Sequence, residues 1–468
     1  MKILLVNSPI PHNFYNREFY LPSSLLYLGA VLQKNNDEVK LIDFKTHQSK
    51  ELKTKDRDPS EGYYESKLIE IISEFRPELI GFGGLISANF LDILKLSKAA
   101  KKEFPEIRTV MGGVHASMYP REILENCPSF DWLILGEGEE SMVQLVNTVK
   151  NNCYEFDKID GFAFRKEKDV IINPKKGFIK NLDDIPFPAY GLINLEDYYE
   201  DTSGWHNPKN LSINTEVPII SSRSCPNDCN FCAASKIMGR GWRARSPENV
   251  VDEIEFVYNK YSHRHFSFMD DNFTLSKSRL IEICNDINKR GLNIQFETHN
   301  GVSINTLDDE IIDAMVSAGL TRIALPIESG SDYIRNEIMG KNLDRKKIFD
   351  VIRTLKKYSQ VYTRAFFIIG MPEETHTTLM DTYNLIKKID VDRVHLTNIV
   401  PFPGTRVFEQ AVRDNLLVDI DLENLYKSDE LYQTNYDRFF IKPYKLELSD
   451  LHEFRAKCNS LIAEQKTN

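Results

Sequence analysis

Apolar and polar positions recur with two different periods along the chain, and each change of period marks an element. Short runs rich in Ile, Leu, Val and Met occupy Lys2–Asn7, Glu38–Asp43, Leu79–Gly84, Arg108–Gly112 and Asp131–Leu135. Their near-continuous apolar character is that of strands covered on both faces. Between them, apolar residues return every three or four positions at Ser23–Gln33, Tyr63–Phe75, Asn89–Phe104, Pro120–Asn126 and Glu139–Val149, which predicts helices. Strands and helices in strict alternation predict an α/β unit built on a doubly wound parallel sheet.

A second alternation begins near residue 216. Strands fit Val217–Ser222, His265–Asp270, Asn293–His299, Thr321–Ile327, Val361–Ile369 and Arg393–Val400, with helices between, the pattern of a partial (βα)6 barrel. Ser246-Pro247 reads as an N-cap followed by proline at the first helical position, with Val250, Ile254 and Val257 on one face. Cys284 falls on the stripe Leu280, Ile281, Ile287 and reads as core. Residues 151–215 read as a linker, broken by Pro186 and Pro188 and by the polar stretch 200–210. Residues 406–468, with Tyr426, Tyr432, Tyr436, Phe439, Phe440 and Tyr444, read as a small helical cap over the barrel mouth. The expected division is therefore 1–150, 151–215, 216–405 and 406–468.

Both architectures bind ligands at the carboxyl ends of their strands. A flavodoxin-like strand order in the first unit brings Asn7-Ser8, Gly83-Gly84-Leu85-Ile86-Ser87, Gly112-Gly113-Val114-His115 and Gly136-Glu137-Gly138-Glu139 to one edge. Any one of these glycine pairs is explained by a tight turn, whereas four on one edge point to a large ligand or a docking face.

Composition narrows the picture. The chain has 468 residues, 41% hydrophobic and 27% charged, and a formal net charge of -10, so no electrostatic signal points to nucleic acid or an anionic membrane surface. No apolar run approaches the length of a membrane span, and the short run at the N-terminus reads as a strand rather than a leader. Cys127, Cys153, Cys284 and Cys458 are scattered, which fits a reducing cytoplasm.

The other three cysteines carry the chemistry. Cys225, Cys229 and Cys232 lie within eight residues in Ser222-Arg223-Ser224-Cys225-Pro226-Asn227-Asp228-Cys229-Asn230-Phe231-Cys232. Thiolates crowded on one loop suit a metal or an iron–sulfur cluster. A closed site takes four ligands, and three leave one iron open to a small molecule. A zinc loop completed by a distant residue, or chance clustering, is the alternative.

This loop, with Phe231 before its third cysteine, closely resembles the cluster-binding loop of the radical S-adenosylmethionine enzymes. The resemblance implies a 4Fe–4S cluster on Cys225, Cys229 and Cys232, whose open iron binds S-adenosylmethionine and whose electron cleaves it to a 5′-deoxyadenosyl radical. It further implies cofactor contacts from Phe231, from Asp270 and Asp271 after the second barrel strand, and from Glu328 and Ser329 after the fourth. Ile368, Gly370 and Glu373 would follow on the adenine side, with Phe366 standing where many members have glycine. For Asp271 or Asn272 a capping role is the plain alternative, and for Glu373-Glu374 attraction to a helix N-terminus.

The first unit resembles the cobalamin-binding domain that precedes the radical core in cobalamin-dependent members of that family. Leu21-Pro22-Ser23-Ser24-Leu25-Leu26-Tyr27-Leu28-Gly29, Gly112-Gly113-Val114-His115-Ala116-Ser117 and Leu135-Gly136-Glu137-Gly138-Glu139 carry the likeness. It implies cobalamin contacts from Asn7, Ser8, Gly83, Gly84, Ser87, Gly112, Gly113, Val114, His115, Gly136, Glu137 and Gly138. None of the ten histidines has Asp two before and Gly three after, the pattern of a lower axial ligand to cobalt. His115 therefore reads as a turn histidine bonding backbone. The function implied is methylation of an unactivated carbon of a small-molecule or natural-product substrate. Oxidative cyclisation of a porphyrin-like substrate, ring rearrangement and a non-enzymatic sensor are the rivals. An electron donor such as flavodoxin or ferredoxin and oxygen-poor conditions follow from the same resemblance.

Overall fold

The computed structural model describes residues 1–9, 21–46, 62–84, 87–198, 216–427, 431 and 438–467. Leu85, Ile86, the polar stretch at 200–210, Tyr432 and Tyr436 lie outside them. By their contacts the residues form two units, one of Met1–Tyr199 with Asp421–Thr434, the other of Glu200–Ile420 with Asn435–Asn468.

The first unit is a seven-stranded sheet in the order β2-β1-β3-β4-β5-β6-β7. The strands β1 (Lys2–Asn7), β2 (Glu38–Asp43), β3 (Leu79–Gly83), β4 (Arg108–Gly112) and β5 (Trp132–Ile134) are parallel, in the predicted flavodoxin-like order. Ile3, Leu4, Leu5 and Val6 are wholly buried because helices cover both faces. Register aligns the strand ends: Asn7 sits opposite both Asp43 and Gly83, Gly83 opposite Gly112, and Gly112 opposite Ile134.

The described part of the expected linker, residues 151–198, contains regular structure. Within them β6 (Phe162–Lys166) and β7 (Asp169–Asn173) form an antiparallel hairpin that extends the sheet from β5. Arg165 fastens it, donating to the carbonyls of Leu124, Phe130 and Cys127 at 2.7, 2.6 and 2.9 Å. These carbonyls end the helix Pro120–Asn126 and the turn after it, so one guanidinium bonds three acceptors at once, of which only Cys127 O also receives a backbone donor, Phe130 N, among the described residues.

The second unit is a six-stranded parallel sheet in strictly sequential order: β8 (Val217–Ile219), β11 (His265–Phe268), β12 (Gln295–Thr298), β13 (Leu320–Glu328), β14 (Tyr362–Ile369) and β15 (Arg393–Asn398). A two-stranded ribbon, β9 (Ser222–Arg223) with β10 (Arg243–Ala244), follows β8. Ser246 caps the helix Pro247–Tyr261, and Cys284 is 1% exposed in the core, both as predicted. Helices Arg406–Arg413 and Leu448–Thr467 belong here. The span 406–468 is divided, however, because Asp421–Thr434 belongs with the first unit. Among the described residues no helix is long and apolar enough to cross a membrane.

Candidate active site

The cysteine loop leaves the ribbon strand β9 at Ser224, whose φ of 70° turns the chain sharply. Such a backbone is costly for a residue with a side chain and needs fixing. It is fixed twice: Ser224 N donates to Asp271 Oδ2 at 2.9 Å and Ser224 Oγ to the Gly239 carbonyl at 2.5 Å. Further along, Asn230 N donates to the Met339 carbonyl at 3.1 Å, and Val407 N to the Asn230 carbonyl at 3.2 Å. Phe231 packs on the buried cluster of Ile334, Met339, Met371, Ile399, Val407, Ala411 and Ile441. Its ring thus anchors the loop to the core.

Two further residues complete this environment: Asn272, given only a capping role above, and Lys341, which the sequence did not single out. Asn272, 2% exposed, aims its Nδ2 at Cys225 Sγ from 3.7 Å, while its Oδ1 is buried with no hydrogen-bond partner. Lys341 places Nζ 2.8 Å from Glu328 Oε1, and its charge acts on Cys229 and Cys232. The proximity of Glu328 and the cysteines more than offsets desolvation, so this lysine is held cationic. It follows Gly340, at φ 73°, where an added Cβ would stand 3.2 Å from the Asp228 carbonyl. A wide-turn helical segment, Tyr333–Ile338, delivers that glycine, consistent with the tendency of such segments to occur at functional sites. Burial pushes the Cys229 thiol up to about 11, so it ionises readily only on meeting a metal.

The remaining predicted contacts divide. Glu328 and Ser329 end β13, and Ile368 and Gly370 end β14, all at the edge where the cysteine loop lies. Asp270 does not face that edge freely. It is 2% exposed, and its carboxylate accepts from Ser221 N, Ser221 Oγ and Ser222 Oγ at 2.7, 2.6 and 2.5 Å. It ties β8 to β9 rather than reaching outward. Asp271 is exposed apart from its bond to Ser224. Glu373 accepts from Gln410 Nε2 at 2.6 Å. Its neighbour Glu374 turns inward instead, accepting from Gly370 N and Met371 N at 2.5 and 3.2 Å, and burial raises it to about 8.

In the first unit, unpartnered polar atoms gather at the aligned strand ends. Ser8 Oγ, Ser87 Oγ and Asn89 Oδ1 are buried without a hydrogen-bond partner among the described residues. His115 is 1% exposed, stacked on Phe90 at 4.2 Å. The Tyr426 backbone lies within hydrogen-bonding reach of its ring, in line with the backbone-bonded histidine expected, although neither ring nitrogen attains close hydrogen-bond geometry among the described residues. Burial lowers its pKa to about 3 and keeps the ring neutral. Gly113, at φ 104° and ψ -169°, takes a conformation open only to glycine. Three other residues are already engaged. Asn7 donates to Asp43 at 3.0 Å, and Glu137 accepts from Ile179 N at 3.0 Å. A Cβ on Gly83 would strike Leu25 at 2.9 Å, so helix packing accounts for that glycine.

These features fit the implied groups. Three thiols with an amide donor on one of them suit an iron–sulfur cluster. Unsatisfied buried polar atoms along a sheet edge suit a large polar ligand. Among the described residues no three His, Cys, Asp or Glu side chains converge as ligands of a single metal ion do.

A model of the radical SAM superfamily matches residues 219–386, and one of the B12 binding domain matches residues 18–146. The class is therefore that of radical S-adenosylmethionine enzymes with a corrinoid domain, which use a 4Fe–4S cluster, S-adenosylmethionine and cobalamin. The chain belongs to the cobalamin-dependent radical SAM family.

It is 30% identical over 449 residues to an uncharacterized methyltransferase of Pyrococcus horikoshii, covering 92% of this chain and 90% of the relative. It is 26% identical to the cytidylyl-2-hydroxyethylphosphonate methyltransferase of Streptomyces wedmorensis, over 94% of this chain and 85% of that one. The anaerobic magnesium-protoporphyrin IX monomethyl ester cyclase of Cereibacter sphaeroides is 28% identical over 80% of this chain and 62% of its own. In fold, the chain superposes with a TM-score of 0.75 on the radical S-adenosylmethionine methyltransferase TsrM of Kitasatospora setae. That match is 16% identical and covers 98% of this chain and 89% of the other.

Proposed function

We propose that the protein transfers a methyl group from S-adenosylmethionine to an unactivated carbon of a small-molecule substrate. When bound, the cluster and S-adenosylmethionine supply the radical that removes hydrogen, and cobalamin carries the methyl group. The chain's part is to hold and shield. Cys225, Cys229 and Cys232 hold the cluster, and Asn272 donates to the Cys225 sulfur. Lys341 fixes Glu328 beside the loop, and with Ser329, Ile368 and Gly370 these line the side where S-adenosylmethionine sits. The backbone at Gly112-Gly113, with Ser8 and Ser87, faces the corrinoid. Asp270 positions the loop without touching the cofactor. A flavodoxin- or ferredoxin-type protein delivers the electron.

The observation that carries the radical chemistry is the Lys341–Glu328 pair, which sets the end of β13 beside the Cys229 and Cys232 thiols. Methyl transfer draws support from the two methyltransferase relatives, which align over 85% or more of their own length against 62% for the cyclase. The test is the anaerobically reconstituted holoenzyme given methyl-labelled S-adenosylmethionine and candidate substrates. Label in the product is the expected result. Formation of 5′-deoxyadenosine with an unlabelled, ring-closed product would replace methyl transfer with cyclisation, and no cleavage at all would remove the enzyme reading.

A further inference from the structure

The face of the six-stranded sheet opposite the helices is charged. On β14, Arg364, Phe366 and Ile368 are half-buried between buried Ala365, Phe367 and Ile369. On β15 the half-buried set is Arg393, His395 and Thr397. Register seats Arg364 beside Arg393, Phe366 beside His395, and Ile368 beside Thr397. Both faces of a parallel sheet are ordinarily covered by apolar packing. A face that solvent partly reaches, with guanidinium groups in it, is shaped for a polar guest.

Charged side chains meet in this layer. Glu297, 2% exposed, faces Arg364 Nη2 at 3.4 Å, Arg322 Nη1 at 3.7 Å and His299 Nδ1 at 3.0 Å. Glu216 shares a hydrogen bond with Glu297, and burial beside that carboxylate raises its pKa. Arg393 meets the Tyr362 hydroxyl, and the Asp392 carboxylate is engaged by Thr363 N at 2.7 Å. Arg322 and Arg364 thus both approach the Glu297 carboxylate. Arg364 Nε is moreover buried with no hydrogen-bond partner among the described residues, as is Thr298 Oγ1. A buried donor on a cation, left unmade, is costly unless a ligand completes it.

We propose that this inner face anchors the substrate, and that the substrate carries an oxyanion group, phosphate-type or carboxylate, bound by Arg364 with Arg322 beside it. The inference rests on the methyl-transfer reading of the same barrel and adds the chemical class of its substrate. Arg364 and Ile368 lie on the same face of one strand, the first at its inner end and the second at its cofactor end. An anion on Arg364 therefore leaves the remainder of the molecule extended toward the cysteine loop.

The test is equilibrium binding of inorganic phosphate, methylphosphonate and acetate to the reconstituted holoenzyme, with choline as the cationic control. Saturable binding of the phosphate-type ions identifies one source of the group, and saturable binding of acetate the other. Arg364→Gln is expected to weaken that binding roughly tenfold or more, as loss of a charge-assisted fork implies. Arg364→Lys should retain part of it, and iron content should be unchanged in both. The proposal is overturned if no anion binds saturably, if choline binds equally, or if Arg364→Gln binds as the parent does. Cleavage of S-adenosylmethionine is read in parallel, so that its absence condemns the enzymatic reading and leaves the anion result to stand or fall separately.

Discussion

Replacing Asp270 with alanine separates two accounts of the same residue. Its carboxylate is buried and receives three donors, Ser221 N, Ser221 Oγ and Ser222 Oγ. Alanine strands all three in a place water does not reach. Each buried donor left unmade costs about 1–3 kcal/mol, so the total is about 3–9 kcal/mol. That is comparable with the about 5–15 kcal/mol that holds a domain together. The damage falls between β8 and β9, the strands that feed the cysteine loop. Asp270→Ala is therefore expected to lower the thermal midpoint markedly and to fail in assembling the cluster, read as iron and sulfide per chain after anaerobic reconstitution. A residue that merely bound the amino group of S-adenosylmethionine would behave otherwise, keeping stability and cluster while losing affinity for the cofactor. A variant with the parent's melting temperature and full iron content refutes the structural reasoning and restores the cofactor role.

Asn272→Ala should assemble the cluster but shift its midpoint to more negative potential, since a donor on the cysteine sulfur favours the more electron-rich state. A hydrogen bond of about 1 kcal/mol corresponds to roughly 40 mV for one electron, within reach of a redox titration followed by electron paramagnetic resonance. Glu374→Gln should change the pH dependence of stability. The folded protein holds the Glu374 proton up to about 8, well above the ordinary glutamate range. The contribution of Glu374 to stability is therefore fully present at low pH, declines as pH climbs from that range toward 8, and is level beyond it. Glutamine keeps an acceptor for Gly370 N and has no proton to lose, so denaturant melts of the variant should be flatter and gain a few kcal/mol over the parent on the alkaline side.

Much of this architecture was legible in the residues. Parallel strands covered on both faces leave unbroken apolar runs, so β1 to β5 and the six barrel strands stood out, and the cysteine spacing announced the cluster loop. The hairpin of β6 and β7 was hidden because β7, the edge strand, is half-exposed, β6 has only three buried residues, and Arg165-Lys166-Glu167-Lys168 reads as a polar connector. Alternation of Phe162 and Phe164 with Val170 and Ile172 nearby was the available signal. Parity offers a signal for the direction of Asp270: counting by twos from Phe266 and Phe268 puts it on their side of the chain and away from Ser267 and Met269. Lys341 had no local signature, and Asn272 suggested only a cap. Their roles arise only when Gly340 meets the Asp228 carbonyl and when the turn after β11 folds back on Cys225.

The two backbone bonds of Asn230 set an order of events. The cysteines are made early in the barrel, yet Met339 and Val407, which grip the middle of their loop, are added more than a hundred residues later. Until the ribosome has passed Val407, the thiols ride on a tether with no template. Metal loading of the correct geometry is thus deferred until nearly the whole barrel exists, and any chaperone delivering iron and sulfide meets a nascent chain too soon unless it waits for that final clasp.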